Sequence, residues 1–194
     1  MDFILASNNP GKLEEMQKIL TVRGFDAQSQ SEAGINLSVE ETGTTFLENA
    51  RLKAEMIVRL TGRPAIADDS GLIVEALDGR PGVDSAIYGG VDCKSDKERC
   101  CLLLSEMAGI ENRRAKFQST IVALFPNGVE VVSVGEWEGE IALAPYGNGG
   151  FGYDPVFFIP GLGKTAAQLT SEEKNEISHR AKALGIFCTK LEQI

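Results

Sequence analysis

Histidine and tryptophan each occur once in this chain, and cysteine occurs four times. Cys93, Cys100, Cys101 and Cys188 contain no C-x-x-C pair, so a zinc site built from Cys and His is disfavoured. Reduced thiols in a cytoplasmic protein are the natural expectation. Long apolar runs are missing too. The start, Met1-Asp2-Phe3-Ile4-Leu5-Ala6-Ser7, has no basic stretch and only a short apolar one. Neither a signal peptide nor a membrane span is therefore expected. Positive charge is scarce: 19 Lys and Arg stand against 28 Asp and Glu, a net charge of −9. That balance argues against DNA, RNA or an anionic membrane as partner. It leaves room for a small anion in a locally basic cleft. Repeats, low-complexity tracts and long linkers are absent.

With 194 residues, the chain suits one α/β domain, or one domain with two lobes, and can bury a sound core. Residues 2–6 read as a short buried strand. A helix follows, with Asn9 as N-cap, Pro10 in the first helical position, and Leu13, Met16 and Leu20 on one face. Glu14 and Glu15 suit its positive end. Capping boxes at Thr45-x-x-Glu48 and Ser95-x-x-Glu98 open two more helices. The first carries Phe46, Ala50, Lys53, Ala54 and Ile57 on one side; the second carries Leu102, Leu103 and Met107. Pro64 to Ala67 and Leu72 to Val74 read as strands flanking an acidic turn. Residues 115–125 and 129–138 read as strands around Pro126-Asn127-Gly128, and Val156 to Ile159 as another. One C-terminal helix is expected from the stripe Ile177, Ala181, Leu184, Cys188, Leu191. The architecture expected is α/β: a mixed, twisted sheet with packed helices, in two lobes around a central cleft.

Five polar clusters carry chemistry. Gly147-Asn148-Gly149-Gly150-Phe151-Gly152-Tyr153-Asp154-Pro155 places four glycines, two aromatics and a carboxylate in nine residues. Such a stretch forbids a regular element, and its return is a bent backbone that approaches a ligand, with Phe151 and Tyr153 as a flat surface. Alone, it reads equally as a surface turn. Ser7-Asn8-Asn9-Pro10-Gly11-Lys12 joins a strand to a helix; amide N–H groups and a lysine there suit an anion, or else form a well-capped connection. It is not a Walker loop. Glu40-Glu41-Thr42-Gly43 precedes the helix on which Asn49 and Lys53, four apart, share a face. Ala67-Asp68-Asp69-Ser70-Gly71 supplies hard oxygen ligands that suit Mg²⁺, or else an Asx turn at a sheet edge. Lys174-Asn175-Glu176-Ile177-Ser178-His179-Arg180 leaves His179 and Arg180 off the centre of the core face. They read as an exposed polar helix edge, or as donors for a carbonyl-bearing ligand. Together, the clusters describe a nucleotide–Mg²⁺ site.

The segments SNNPGK (7–12), EETGTTFLENARLKA (40–54), AIADDSGL (65–72), GNGGFGYDPVFF (147–158) and EEKNEISHRAKAL (172–184) run from one end of the chain to the other. In them the chain resembles the inosine triphosphate pyrophosphatase family, specifically its bacterial Ham1-like dITP/XTP pyrophosphatases. The resemblance implies hydrolysis of ITP, dITP or XTP to the monophosphate and pyrophosphate, Mg²⁺ dependence, a homodimer and a two-lobed fold. It makes Asp69 the residue that activates water and, with Glu41, the metal site; the family pattern keeps that acid two places before Gly43, which favours Glu41 over Glu40. It makes Ser7, Asn8, Asn9, Pro10, Gly11, Lys12 and Lys53 the triphosphate contacts. Ser70, Phe151, Gly152, Tyr153, Asp154, Lys174, His179 and Arg180 become nucleotide contacts. One departure stands out: Ile87 occupies a position where the family commonly has arginine. Two other readings remain open at this level, a nucleotide sensor without turnover and a pyrophosphatase for modified pyrimidine triphosphates.

Overall fold

The structure is a computed structural model that describes residues 2–193; Met1 and Ile194 lie outside the described residues. Among the described residues, seven strands form one mixed sheet: β1 (Asp2–Leu5), β2 (Asp26–Ser29), β3 (Ala65–Val74), β4 (Arg114–Leu124), β5 (Glu130–Ile141), β6 (Phe157–Ile159) and β7 (Lys164–Thr165). Their order is β2-β1-β3-β4-β5-β6-β7. β1 runs parallel to β2 and β3, whereas β6 is antiparallel to both β5 and β7. The helices are α1 (Pro10–Val22), α2 (Phe46–Thr61), α3 (Asp96–Glu106), α4 (Ser171–Ile177) and α5 (His179–Leu191). The α/β class with a mixed sheet and packed helices is as the sequence led us to expect.

Helix starts follow the side chains that cap them. Asn9 is extended and its side chain accepts from the Lys12 N–H, with Pro10 opening α1. Thr45 and Ser95 both form complete capping boxes, with Glu48 and Glu98. Each such cap contributes about 1 kcal/mol. Glu14 and Glu15, in contrast, fall beyond the first turn of α1.

The chain divides into two compact units. The first comprises Met1–Asp69, Ser119–Gly135 and Ser178–Ile194. Here the sheet is buried on both faces. Phe3, Leu5, Ile66, Ile121 and Ala123 pack with Met16, Leu20, Leu184 and Phe187 of α1 and α5. Ile4, Ala65, Ala67 and Val122 pack with Ala50, Ala54 and Ile57 of α2. Successive strand residues thus alternate between two helical layers, as a near-continuous apolar strand does in a parallel sheet. The second unit comprises Ser70–Gln118 and Glu136–Ile177. Its core gathers Leu72, Val74, Leu103, Met107, Phe117, Trp137 and Phe157. The Phe117 and Phe157 rings lie 4.5 Å apart, and the Trp137 and Phe157 rings 5.3 Å.

Three expectations need correction. The two strands and acidic turn expected over 64–74 are one unbroken strand, β3, and it lies inside the sheet between β1 and β4. Asp68, Asp69 and Ser70 look like turn formers, but Lys12, Arg180 and the Ser119 hydroxyl meet the Asp68 carboxylate and Lys53 meets that of Asp69, and all three residues remain in the strand. The single C-terminal helix is two, because Ser178 is extended and its side chain caps α5 through the Ala181 N–H. Ile177 accordingly packs with the second unit's core, and Ala181, Leu184 and Cys188 with the first's. Finally, β2 and β7 went unanticipated: Asp-Ala-Gln-Ser has no apolar alternation, and β7 is two residues long.

Candidate active site

Asp68 and Asp69 are neighbours on β3, so their side chains leave opposite faces of the sheet. Asp68 shares the face of Ile66, toward α1 and α5. Its carboxylate takes the Lys12 ammonium at 3.0 Å, the Arg180 guanidinium at 3.3 Å and the Ser119 hydroxyl at 2.5 Å. Burial alone would raise its pKa; Arg180, Lys12 and Ser119 outweigh that and hold the carboxyl well below the usual range. The other donor of the Arg180 fork meets Glu15 of α1.

Asp69 shares the face of Ala65 and Ala67, toward α2. The Lys53 ammonium reaches it at 2.8 Å and the Asn49 amide at 3.5 Å. Lys53 also meets Glu41, at 3.2 Å. Asn49 and Lys53 are one helical turn apart, which places both over this carboxylate. The Asn49 oxygen in turn accepts the Gly43 N–H at 2.8 Å, tying the Glu40–Gly43 segment to the helix. Burial pushes Asp69 up to about 6, against the pull of Lys53 and Lys12, with Glu41 adding to the rise. Lys53 is raised as well, for the opposite reason: burial would lower it, but Asp69 and Glu41 outweigh that.

The Ser7–Lys12 segment is braced from within. Ser7 Oγ accepts the Asn9 N–H, and Asn8 donates to the Leu37 carbonyl while accepting from Gln30 at 2.7 Å. The N-terminal turn of the 13-residue α1 and the Lys12 ammonium are thereby fixed next to Asp68.

In the second unit the glycine-rich segment is bound up with its own neighbours. Gly150 has φ +70, and a Cβ there would meet the Asp154 carboxylate. The Asp154 Oδ2 accepts the Phe151 N–H at 2.9 Å and the Lys174 ammonium at 2.5 Å. That ammonium also lies 4.7 Å from the centre of the Phe151 ring. Tyr153 is buried and donates to the Ser85 carbonyl at 2.8 Å. Tyr153 is thus part of the core rather than an exposed flat surface, while Phe151 is half-buried.

The exposed-edge reading of His179 and Arg180 does not hold: their residues are 4% and 1% exposed. Ser70 is half-buried in β3. Ile87 is well exposed. In the first unit, then, Lys12 and Arg180 gather on Asp68 at one face of β3, and Lys53, with Glu41, gathers on Asp69 at the other. In the second, Phe151, Gly152, Tyr153, Asp154 and Lys174 form one constellation. Glu15, Ser119 and Gln30 were missed, since each is an ordinary polar residue whose partner is far away in sequence. Asn49 had a visible signal, its spacing from Lys53.

The donor chemistry fits Mg²⁺. Asp69 and Glu41 already share one cation, the Lys53 ammonium, so two hard oxygens face a common point of positive charge. Among the described residues no cluster of three or more His, Cys, Asp or Glu side chains is arranged to hold a metal. Two carboxylates, with the rest left to water and phosphate, is how Mg²⁺ is commonly held beside a nucleotide.

Comparisons with known proteins agree over nearly the whole chain. The Ham1 family model matches residues 3–190. A protein of Yersinia pseudotuberculosis named dITP/XTP pyrophosphatase is 47% identical over 192 residues, 97% of this chain and 96% of that one. The structure of the Staphylococcus aureus Ham1 protein is similar with a TM-score of 0.88 and 42% identity, over 100% of this chain and 99% of that one. A HAM1 protein from Coxiella burnetii gives a TM-score of 0.89 and 42% identity, covering all of both chains. The chain belongs to the Ham1 family.

Proposed function

We propose that the chain hydrolyses ITP, dITP and XTP to their monophosphates and pyrophosphate, with Mg²⁺, and so removes these non-standard purines from the nucleotide pool. The observation that carries this reading is Asp69: a buried carboxylate, raised to about 6, held by Lys53 with Glu41 on the same ammonium. At neutral pH such a group is mostly ionised yet basic enough to accept a proton from water. The activity named for the 47% identical relative supports it.

Asp69 takes the proton of a water that attacks the α-phosphorus, and pyrophosphate leaves. Lys12 and Lys53 each have three N–H donors, so both can give one to phosphate while keeping a carboxylate. The α1 N-terminus adds its dipole to the same charge. Donors fixed before the reaction stabilise the developing phosphate charge without reorganising. Asp69 and Glu41 would hold the metal, which when bound neutralises phosphate charge and polarises the P–O bond. Ser7 to Lys12 bind the triphosphate. Ser70, Phe151 to Asp154, Lys174, His179 and Arg180 contact the nucleoside. A 6-oxo base offers an acceptor to His179 and Arg180, where adenine would present a donor to donors and leave buried groups unpaired.

The same reading joins the two compact units into one pyrophosphatase domain, active as a homodimer in the cytoplasm. No helix among the described residues is long and apolar enough to cross a membrane. The test is product analysis with ITP and Mg²⁺, followed by a panel of purine and modified pyrimidine triphosphates. Pyrophosphate released from ITP and XTP ahead of ATP and the pyrimidines is the expected result. Orthophosphate as the first product, or binding without turnover, would overturn it.

A further inference from the structure

One helix holds Gly152 on both sides of its α-carbon. The Gly152 N–H donates to Asp96 Oδ2 at 2.7 Å, and the Gly152 carbonyl accepts from Cys100 Sγ at 3.4 Å. Asp96 and Cys100 are four apart on α3 and so share one side of it, a single turn apart. The second oxygen of Asp96 is taken by Arg99 at 2.5 Å, and Arg99 also donates to the Cys93 carbonyl at 3.3 Å. These bonds fix the direction in which Asp96 Oδ2 points. Burial pushes the Cys100 thiol up to about 12, which keeps its hydrogen in place as a donor. Gly152 itself has φ +62, a left-handed conformation that glycine adopts readily and other residues rarely do.

The preceding amide is treated in the same manner. Phe151 N–H is bound by Asp154, and Lys174 lies over the Phe151 ring. Two consecutive N–H groups are therefore held by two carboxylates from different parts of the chain, and the Phe151 ring hangs between them. We infer that Asp96 is a positioning residue for the base-contacting loop: through the Gly152 N–H it sets the backbone that aims the Phe151 ring, with Cys100 as its second point of attachment. This inference rests on the proposed role of Phe151 in nucleotide binding. Asp96 touches no substrate, and its effect belongs to binding rather than to the chemical step.

Asp96 has a side chain 48% exposed, and Ser95 already caps α3, so Asp96→Ala is expected to fold. Steady-state kinetics on ITP with Mg²⁺ should show KM raised about tenfold and kcat within about twofold, as loss of uniform binding predicts. Asp96→Asn keeps an oxygen that accepts the Gly152 N–H, so it should recover most of the KM. A KM unchanged in Asp96→Ala, a fall confined to kcat, or no recovery in Asp96→Asn would overturn the inference. Hydrogen exchange of the 148–153 segment needs no substrate and gives a second readout. It should quicken in Asp96→Ala and return toward wild type in Asp96→Asn; equal exchange in all three proteins sinks the inference outright. Wild-type enzyme that releases no pyrophosphate from ITP would instead strike the functional reading, and the exchange result would still decide the role of Asp96.

Discussion

Each unit buries a lysine against an aspartate, and the two pairs differ in what surrounds them. Lys53 and Asp69 meet at 2.8 Å and Lys174 and Asp154 at 2.5 Å. Around the first, Glu41 crowds the ammonium and desolvation raises the aspartate to about 6. Around the second, the aspartate also binds a backbone N–H of the same glycine-rich turn, and the lysine covers an aromatic ring. A shared ammonium between two carboxylates leaves negative charge in search of a further cation. An ion pair stitched into a backbone turn spends its charge on shape. Distance alone would rank the second pair as the tighter; under the proposed function, the neighbours suit the first to catalysis and the second to shaping the loop that meets the nucleoside.

The sharpest break of that contrast is Asp69→Asn. Removing a positioned general base should lower kcat by about 10²–10⁴-fold, with the thermal midpoint unchanged or higher. Turnover kept within tenfold of wild type would undo the role given to Asp69. Lys174→Met is the counterpart. Stranding Asp154 as a buried charge should cost about 3–5 kcal/mol of stability, read by denaturant unfolding. The double variant Lys174→Met with Asp154→Asn should recover much of that loss. If instead Lys53→Met proves the more destabilising and Lys174→Met leaves unfolding untouched, the assignment of the two pairs is inverted.

pH separates adjacent residues on one strand. Asp69 must be ionised to accept a proton, so kcat/KM should fall as pH drops through about 6. For stability the sign is reversed: a raised carboxyl contributes most below its ordinary value of 3.8 and loses that contribution as pH rises through about 6. Asp68 is depressed, so its contribution is present above 3.8 and lost only well below it. Thermal midpoints of Asp69→Asn across pH 4 to 7 should therefore rise relative to wild type toward the upper end. A parallel offset at every pH would contradict this. The smallest effects serve as controls: Thr45→Ala and Ser95→Ala each remove an N-cap, α2 in one unit and α3 in the other, and each should cost about 1 kcal/mol by chemical denaturation.

Local chemistry was the part most legible from sequence. Asn9-Pro10, Thr45-x-x-Glu48 and Ser95-x-x-Glu98 each mark a helix start that the structure reproduces, because a cap is decided within four residues. The polar centre of β3 was misjudged, since what keeps Asp68 and Asp69 extended comes from Lys12, Lys53, Ser119 and Arg180, 16 to 112 positions away. The break at Ser178 hid inside an intact apolar stripe, and the stripe itself serves two cores. In the site, the residues that carry charge were visible by type, but their grouping was not. Glu15 beside Arg180 and Gln30 beside Asn8 are products of folding that no spacing announces.

The adjacency of Asp68 and Asp69 imposes a parity rule on the chain. Ile4 and Leu5 pair with Ala65 and Ile66, which fixes which of the two acids is odd and which even in that register. Sliding β3 by a single residue would turn each acid to the opposite face and bring Ala67 or Ser70 into a place that an acid now holds. Length changes upstream of β3 are therefore tolerable only where a loop absorbs them, and the proposed chemistry depends on counting by twos.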